Sequence, residues 1–489
     1  MRPREQSRGQ DDLFRARLGQ IIDMRHDLVR LGGLIDWRVI GDRFGEVYSD
    51  GPGQPPLPTR LMAGLAILKH TFNLSDEELV ARWVENPYFQ HFCGEEHFLH
   101  KARFDRSSLT RWRQRMGEER LEVLLQESLA VAVKTEAVAI EDLSKVIVDT
   151  TVQEKAITFP TEAKLLNRAR VMLVTLAKTH GLALRQGYPK VGKLALIKYQ
   201  RYAHAKQWNR ARRELRRLRT FLGRVIRDVE RQVHSSPSLE TIFRPKLFLA
   251  GRVHAQKRGE RGPKVYSIHA PEVECIGKGK AHKPYEFGVK VSVATTVAPS
   301  RGGQFVLAAK ALPGNPYDGH TLATVIPHIQ TLVGNEIKRI IADKGYRGHN
   351  APTPHDMRVY VSEQKRGVTQ AIKRELRRRA AVEPVIGHMK NDHRMDRNYL
   401  IGSHGDAANA VLAAIGYNFR RLATWLRQFL CALFLLIAAP QNPARAAHSD
   451  CLTAPYFTAD TFSVRRGARV RQLSGVDMTC RPSSIDGEF

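Results

Sequence analysis

The sequence predicts an α/β fold in which a sheet-bearing domain follows a helical module and carries a long helical insertion. Three observations support this. Two short β-branched runs, Val146 to Val148 and Ile340 to Ala342, each stop at an aspartate, as buried strands that end at a site do. The stretch Arg379-Ala-Ala-Val-Glu383-Pro-Val-Ile-Gly-His-Met-Lys390 has helical spacing around one glutamate. Between the two runs, residues 161–236 are mostly helical in character, and their second half repeats apolar positions from Trp208 to Val229 at steps of three and four.

From the N-terminus, residues 1–56 mix charge with a modest amphipathic stretch and end in Ser49-Asp-Gly-Pro-Gly-Gln-Pro-Pro56, an extension and linker by composition. Residues 57–137 form the helical module: Thr59 can cap a helix through Leu61, Leu65 and Leu68, and Ser75 with Glu78 forms a capping box. Asp105 or Ser107 caps a short basic helix closed by Gly117, with Arg111 and Arg115 on one face. Such a module suits a helix-turn-helix-like grip on DNA, and equally a solvated face of a packing domain. Glu118 to Ala137 reads as a connecting helix.

The sheet domain, residues 138–430, opens at Lys145. In the insertion, Trp208, Ala211, Leu215, Leu218, Leu222, Val225 and Val229 make a stripe that a hairpin with the Leu165 to Leu176 helix would bury, or that a second copy could cover. Arg212 and Arg216 stand on the other faces, where they could follow a DNA backbone without sequence preference or remain solvated. Strand signals return at Val265 to Ile268, Glu286 to Ala294, Gln304 to Ala308 and Met357 to Val361. The Gly277 to Pro284 loop reads as a basic hairpin, Asp318 as the cap of a helix from Leu322 to Leu332, and Gln370 to Lys390 as a basic helix that Pro384 bends or restarts. Ala407 to Leu426 is a final core helix, and 440–489 lacks periodicity and is expected to be disordered.

Composition narrows the function. A formal charge of +29 over 489 residues fits a polyanionic partner, because each neutralised phosphate releases counterions. Five cysteines, none in a CxxC pair, argue against a zinc site or a disulfide framework and for a reducing cytoplasm. The polar N-terminus shows no signal peptide, and the apolar run Phe429 to Ala439 is too short to span a bilayer.

An acid at the end of an apolar strand is costly to bury alone, so it lies at an edge, pairs, or holds a cation. Taken singly, a strand-terminal aspartate is more often a turn or cap residue. Asp149, Asp343 and Glu383 together, on basic flanks, are what a hard divalent ion takes, and a pair of such ions suits in-line displacement at a phosphodiester.

The three stretches resemble the DDE transposases of bacterial insertion sequences, specifically the insertion sequence 5 group, from about Leu57 to Arg427. Arg379, Glu383 and Lys390 fall on that group's pattern Tyr-x2-Arg-x3-Glu-x6-Lys, with Leu376 in place of the tyrosine. Asp149-Thr-Thr-Val-Gln-Glu-Lys155 and Asp343-Lys-Gly-Tyr-Arg-Gly348 resemble its first and second acid motifs, and Asn418-Phe-Arg-Arg421 its closing motif. The resemblance implies a ribonuclease H-like mixed sheet with flanking helices. It implies Asp149, Asp343 and Glu383 as catalytic residues holding two Mg²⁺ ions, with Mn²⁺ as an alternative, and Asn315 and Asp318 standing behind them. Arg379, Lys390, Lys344 and Arg347 would meet DNA at the site, and Arg111 and Arg115 in an end-binding module. The implied partner is double-stranded DNA, both terminal inverted repeats and target, engaged by a homodimer in the cytoplasm, without a membrane. Two other readings stay open: a silent DNA-binding repressor from a decayed element, and a ribonuclease H-like nuclease.

Overall fold

The structure, a computed structural model, describes residues 16–48 and 56–438 other than 235, 258, 261, 278–282, 299 and 353–356. Helices α1 (Leu18–Ile21), α2 (Asp27–Leu34) and α3 (Trp37–Gly45) come first, α3 starting where the Asp36 carboxylate accepts from the Arg38 and Val39 amides. Composition reads this stretch as extension and linker. It folds instead, because Leu28, Leu31, Ile40 and Phe44 supply an apolar face that joins the main core. The turn-rich residues 49–55 lie outside the described residues.

Helices α4 (Thr59–Thr71), α5 (Asp76–Glu85) and α6 (Pro87–Phe92) follow. The Ser75–Glu78 capping box forms as expected, and Asn86 caps α6 with Pro87 in its first turn, where a missing N–H costs nothing. Asp105 caps α7 (Arg106–Lys134), accepting from the Ser107 amide at 2.8 Å. Gly117 closes the first, basic stretch of this segment, as expected. At φ 69 and ψ −175 it breaks the axis, and a second helical stretch resumes at once.

The sheet is built on β1 (Lys145–Glu154). The insertion α8 (Glu162–Thr179), α9 (Pro189–His204), α10 (Trp208–Val233) and α11 (Pro237–Ala255) interrupts it before β2 (Glu274–Gly277), β3 (Tyr285–Thr296) and β4 (Val306–Leu312). After α12 (Leu322–Val333) come β5 (Arg339–Ala342) and β6 (Arg358–Val361). The order is β2-β3-β1-β5-β6, with β4 also pairing β3. β3 runs antiparallel to β1, while β5 and β6 continue the other side in parallel, so the sheet is mixed. The run Val265 to Ile268 forms no strand: Val265 and Ile268 are buried in the core of the insertion instead. The glycine and lysine loop falls mostly on 278–282, outside the described residues.

The insertion has its own apolar core and extends to Ala255. Ala211, Leu218, Leu222, Val225 and Val229 are buried, and α8, α9 and α11 all pack on α10. From Ala211 on the stripe is covered within the chain, with Leu215 partly buried against the same core, while Trp208 at its start stays exposed.

Helices α13 (Gln370–Arg377), α14 (Val382–Asp392) and α15 (Gly402–Ala438) complete the fold. The chain divides into a unit ending at Leu433 and another from Phe434, and every element apart from the end of α15 belongs to the first. Residues from Ala410 to Ile415 are fully buried. Asn418 exchanges two hydrogen bonds with the Val306 backbone on β4, at 3.0 and 2.8 Å, and so ties α15 to the sheet. Among the described residues no helix is long and apolar enough to cross a membrane. The tail 440–489, expected to be disordered, lies outside the described residues.

Candidate active site

Parallel pairing places the two aspartates. The β1–β5 register matches Val146 with Ile340, Ile147 with Ile341 and Val148 with Ala342, so the next residue on each strand is an acid, Asp149 beside Asp343. Asp343 then opens a tight 3-10 turn, Lys344–Tyr346. The third acid comes from a broken helix. The basic stretch from Gln370, expected to bend or restart at Pro384, is three pieces: α13, a 3-10 turn Arg378–Ala381, and α14. Pro384 explains the break, because its ring clashes with a carbonyl four residues back yet is tolerated in a first turn. Glu383 thereby sits at the start of α14 and Arg379 in the turn before it. Leu376, at the tyrosine position, packs against the core.

Arg379 draws the acids together. Its Nη2 donates to Asp149 Oδ2 at 2.9 Å and lies 3.4 Å from Asp343 Oδ2, while Nη1 donates to Glu383 Oε1 at 2.8 Å. Exposure rises across the set, from 15% for the Asp149 side chain through 43% for Asp343 to 61% for Glu383, so the site opens to solvent on the Glu383 side. Burial pushes the Asp149 carboxyl up to about 6, against the pull of Arg379 and of the Thr150 amide, which donates to it at 2.8 Å; Asp343 and Asp318 add to the rise.

A second set of side chains backs this one. Asp318 does not cap α12; it begins a 3-10 turn, Asp318–Thr321, and turns its Oδ1 to Thr150 Oγ1 at 2.9 Å and Lys290 Nζ at 3.0 Å. Lys290 also donates to the Pro316 carbonyl at 2.7 Å, which fixes the turn against β3. Tyr346 is buried beneath, and that burial, with Asp149 and Asp318 nearby, holds its phenol well above its usual value. Asn315 is exposed in a left-handed conformation (φ 44), and among the described residues no hydrogen bond joins it to the acids. Sequence reasoning passed over Thr150, Lys290 and Tyr346. Tyr346 lies inside the second acid motif and could have been found there. Lys290 looks like any polar position of an alternating strand.

The basic candidates are dispersed. Lys390 is half-buried two turns along α14 from Glu383, roughly 10 Å at helical rise. Lys344 and Arg347 are exposed and share Glu363, at 2.9 and 3.3 Å. Arg111 and Arg115 are exposed on α7, Arg115 stacking 5.3 Å over Tyr48, whereas Arg113 between them is buried in a two-pronged pair with Asp76. Arg212 and Arg216 are exposed on α10.

Among the described residues, the His, Cys, Asp and Glu group whose ligand atoms all lie within 4.8 Å of one another is elsewhere: Glu118, Glu122 and His328. There His328 Nε2 meets Glu122 Oε1 at 2.6 Å and Lys310 Nζ lies 3.8 Å from Glu118, so both acids already have side-chain partners. The acids around Arg379 converge on its guanidinium rather than on each other. Oxygen donors alone, gathered by a cation, form a donor set that fits a hard divalent ion.

In this mixed α/β chain three acids meet around one arginine at a strand end, a candidate site for chemistry. Comparison with known proteins identifies the family. The description "Transposase domain (DUF772)" matches residues 16–115, from α1 through Arg115, and "Transposase DDE domain" matches residues 352–423, which hold Arg379, Glu383, Lys390 and Asn418. Asp149 and Asp343 lie outside both. A Rhizobium meliloti protein called "Uncharacterized protein ORF8 in nfe locus" is 50% identical over 208 residues, 42% of this chain and 100% of its own length. No solved structure matches. The chain belongs to the DDE transposases of insertion sequences, and its activity is that of a DDE-type transposase.

Proposed function

We propose that the protein binds double-stranded DNA at the terminal inverted repeats of its element, cleaves there by metal-dependent hydrolysis, and joins the freed 3′ hydroxyl to target DNA. The observation that carries this is the single guanidinium shared by Asp149, Asp343 and Glu383. These residues would hold two Mg²⁺ ions, or Mn²⁺, which supply charge stabilisation to the attacking and leaving oxygens. In the first step a water oxygen attacks phosphorus and the 3′ oxygen leaves, taking up a proton. In the second, that 3′ hydroxyl loses its proton, attacks a target phosphorus and displaces the target's 3′ oxygen.

Arg379 and Lys390 would hold phosphates beside the scissile bond, with Lys344 and Arg347 exchanging Glu363 for the backbone. Asp318 supports the first acid through Thr150. A ribonuclease H-like domain is supported by the acid-bearing β1 lying between antiparallel β3 and parallel β5. Within residues 138–430, the insertion offers Arg212 and Arg216 to the duplex backbone. The helical module expected at 57–137 would grip the ends through Arg111 and Arg115. Two ends are cut and each chain carries one acid site, so the active complex is read as a homodimer.

The test is incubation of the purified protein with end-containing duplex and Mg²⁺, resolving nicked and joined products on a sequencing gel. Wild type should nick at the ends and join, while Asp149→Ala, Asp343→Ala and Glu383→Ala bind without cutting. Binding by wild type with no nick would make it a silent repressor. Cleavage of any duplex without joining would make it a nuclease.

A further inference from the structure

The cation gathered by the three acids is part of the protein itself. Arg379 uses both terminal nitrogens on carboxylates, its side chain is only 17% exposed, and its Nε is buried with no hydrogen-bond partner. A guanidinium cannot lose its charge at accessible pH. While it stays among the carboxylates, an incoming divalent ion meets both a like charge and oxygens already engaged. Moving it costs three charged contacts, unless another anion replaces them. A phosphodiester can do so, since arginine binds phosphate as a two-pronged fork, and the 3-10 turn carrying Arg379 borders the open, Glu383 side of the site.

We propose that Arg379 is a built-in counter-cation that keeps the acid site from taking up a divalent ion until a DNA phosphate draws its guanidinium away. The inference rests on the reading of Asp149, Asp343 and Glu383 as ion ligands. Metal binding and DNA binding are then linked, and each tightens the other by the same factor. Free protein in a cell full of Mg²⁺ would hold its chemistry in check until a duplex is seated.

The measurement is Mn²⁺ affinity, followed by the electron paramagnetic resonance signal of the free ion, so that no turnover is involved. Wild type, Arg379→Ala and Arg379→Gln are titrated alone and with a short mixed-sequence duplex, after circular dichroism has shown which variants are folded. Without DNA, the folded variants should bind Mn²⁺ at least about tenfold more tightly than wild type, within the usual range of linked sites. Duplex should tighten wild type by a similar factor and leave the variants unchanged. Adding Asp149→Ala to Arg379→Gln should abolish the gain.

If wild type alone binds as tightly as the variants and Asp149→Ala destroys that binding, the acid site stands and the counter-cation role is wrong. If the variants gain affinity but duplex does not tighten wild type, DNA phosphate is not what releases Arg379. If Asp149→Ala changes nothing in any background, the ion does not sit on these acids, and the underlying reading fails along with the inference.

Discussion

His70 and His393 form a seam between α4 and the end of α14, and that seam sets an acid limit on the fold. His393 Nδ1 donates to the His70 carbonyl at 2.7 Å, and His70 Nδ1 faces the His393 carbonyl at 3.3 Å. Both residues are buried. Burial pushes His393 down to about 4, and His70 well below the usual histidine range, because a charged ring there would lose its water. Between about pH 6.5 and 4 the unfolded chain therefore holds a proton at residue 393 that the folded chain refuses, so stability falls as pH falls through that window. At about 1.4 kcal/mol per pH unit, the loss assigned to His393 alone is roughly 3 kcal/mol. His393→Asn keeps a donor near the Nδ1 position and removes the titration. Urea unfolding of both proteins at a series of pH values from 7 to 4 should show wild type losing roughly 3 kcal/mol more than the variant. Parallel pH profiles would refute the argument, because the acid sensitivity would then arise elsewhere.

Three further outcomes are expected. Gly416→Ala puts a Cβ 2.5 Å from the His70 carbonyl carbon, so α15 and α4 must part; a loss of about 1–3 kcal/mol should appear as a lower Tm. Asn418→Ala leaves the buried N–H and C=O of Val306 unpaired and should cost about 2–4 kcal/mol in urea unfolding. Asp318→Ala releases Thr150 and Lys290 from behind the first acid; end cleavage should slow roughly 10–100-fold while duplex affinity in a gel-shift assay stays unchanged.

What could be read from sequence was what local chemistry dictates. The strands before Asp149 and Asp343 are apolar, β-branched and bounded, the Ser75–Glu78 box starts a helix by itself, and Pro384 bends or restarts one. What was missed depends on tertiary partners. Strand β2 has four residues, Glu274-Cys-Ile-Gly277, and exists because β3 offers it an edge. Val265 to Ile268 has strand composition, but its apolar residues are drawn into the core of the insertion. The charged surface of α1 to α3 hides a face, with Ile40 and Phe44, that is apolar only when viewed along the helix. Asp318 looks like a cap because caps are local; its partners on β1 and β3 lie 168 and 28 residues away.

Register explains how acids so far apart in the chain can meet at all. Parallel strands keep equivalent residues level, and side chains alternate between faces, so aligning Val148 with Ala342 turns the following acids toward the same region. A slip of one residue would put an acid where a core residue belongs, an error that the buried Val146, Ile147, Ile340 and Ile341 penalise. The short apolar runs therefore do more than form strands: they set the level at which two carboxylates face one guanidinium. Glu383 cannot be placed that way, because it comes from a helix, and its position follows from the turn that carries Arg379. The residue that brings the third acid into place is thus the same one that occupies the space between all three, so any motion that releases the guanidinium must also loosen the hold on Glu383.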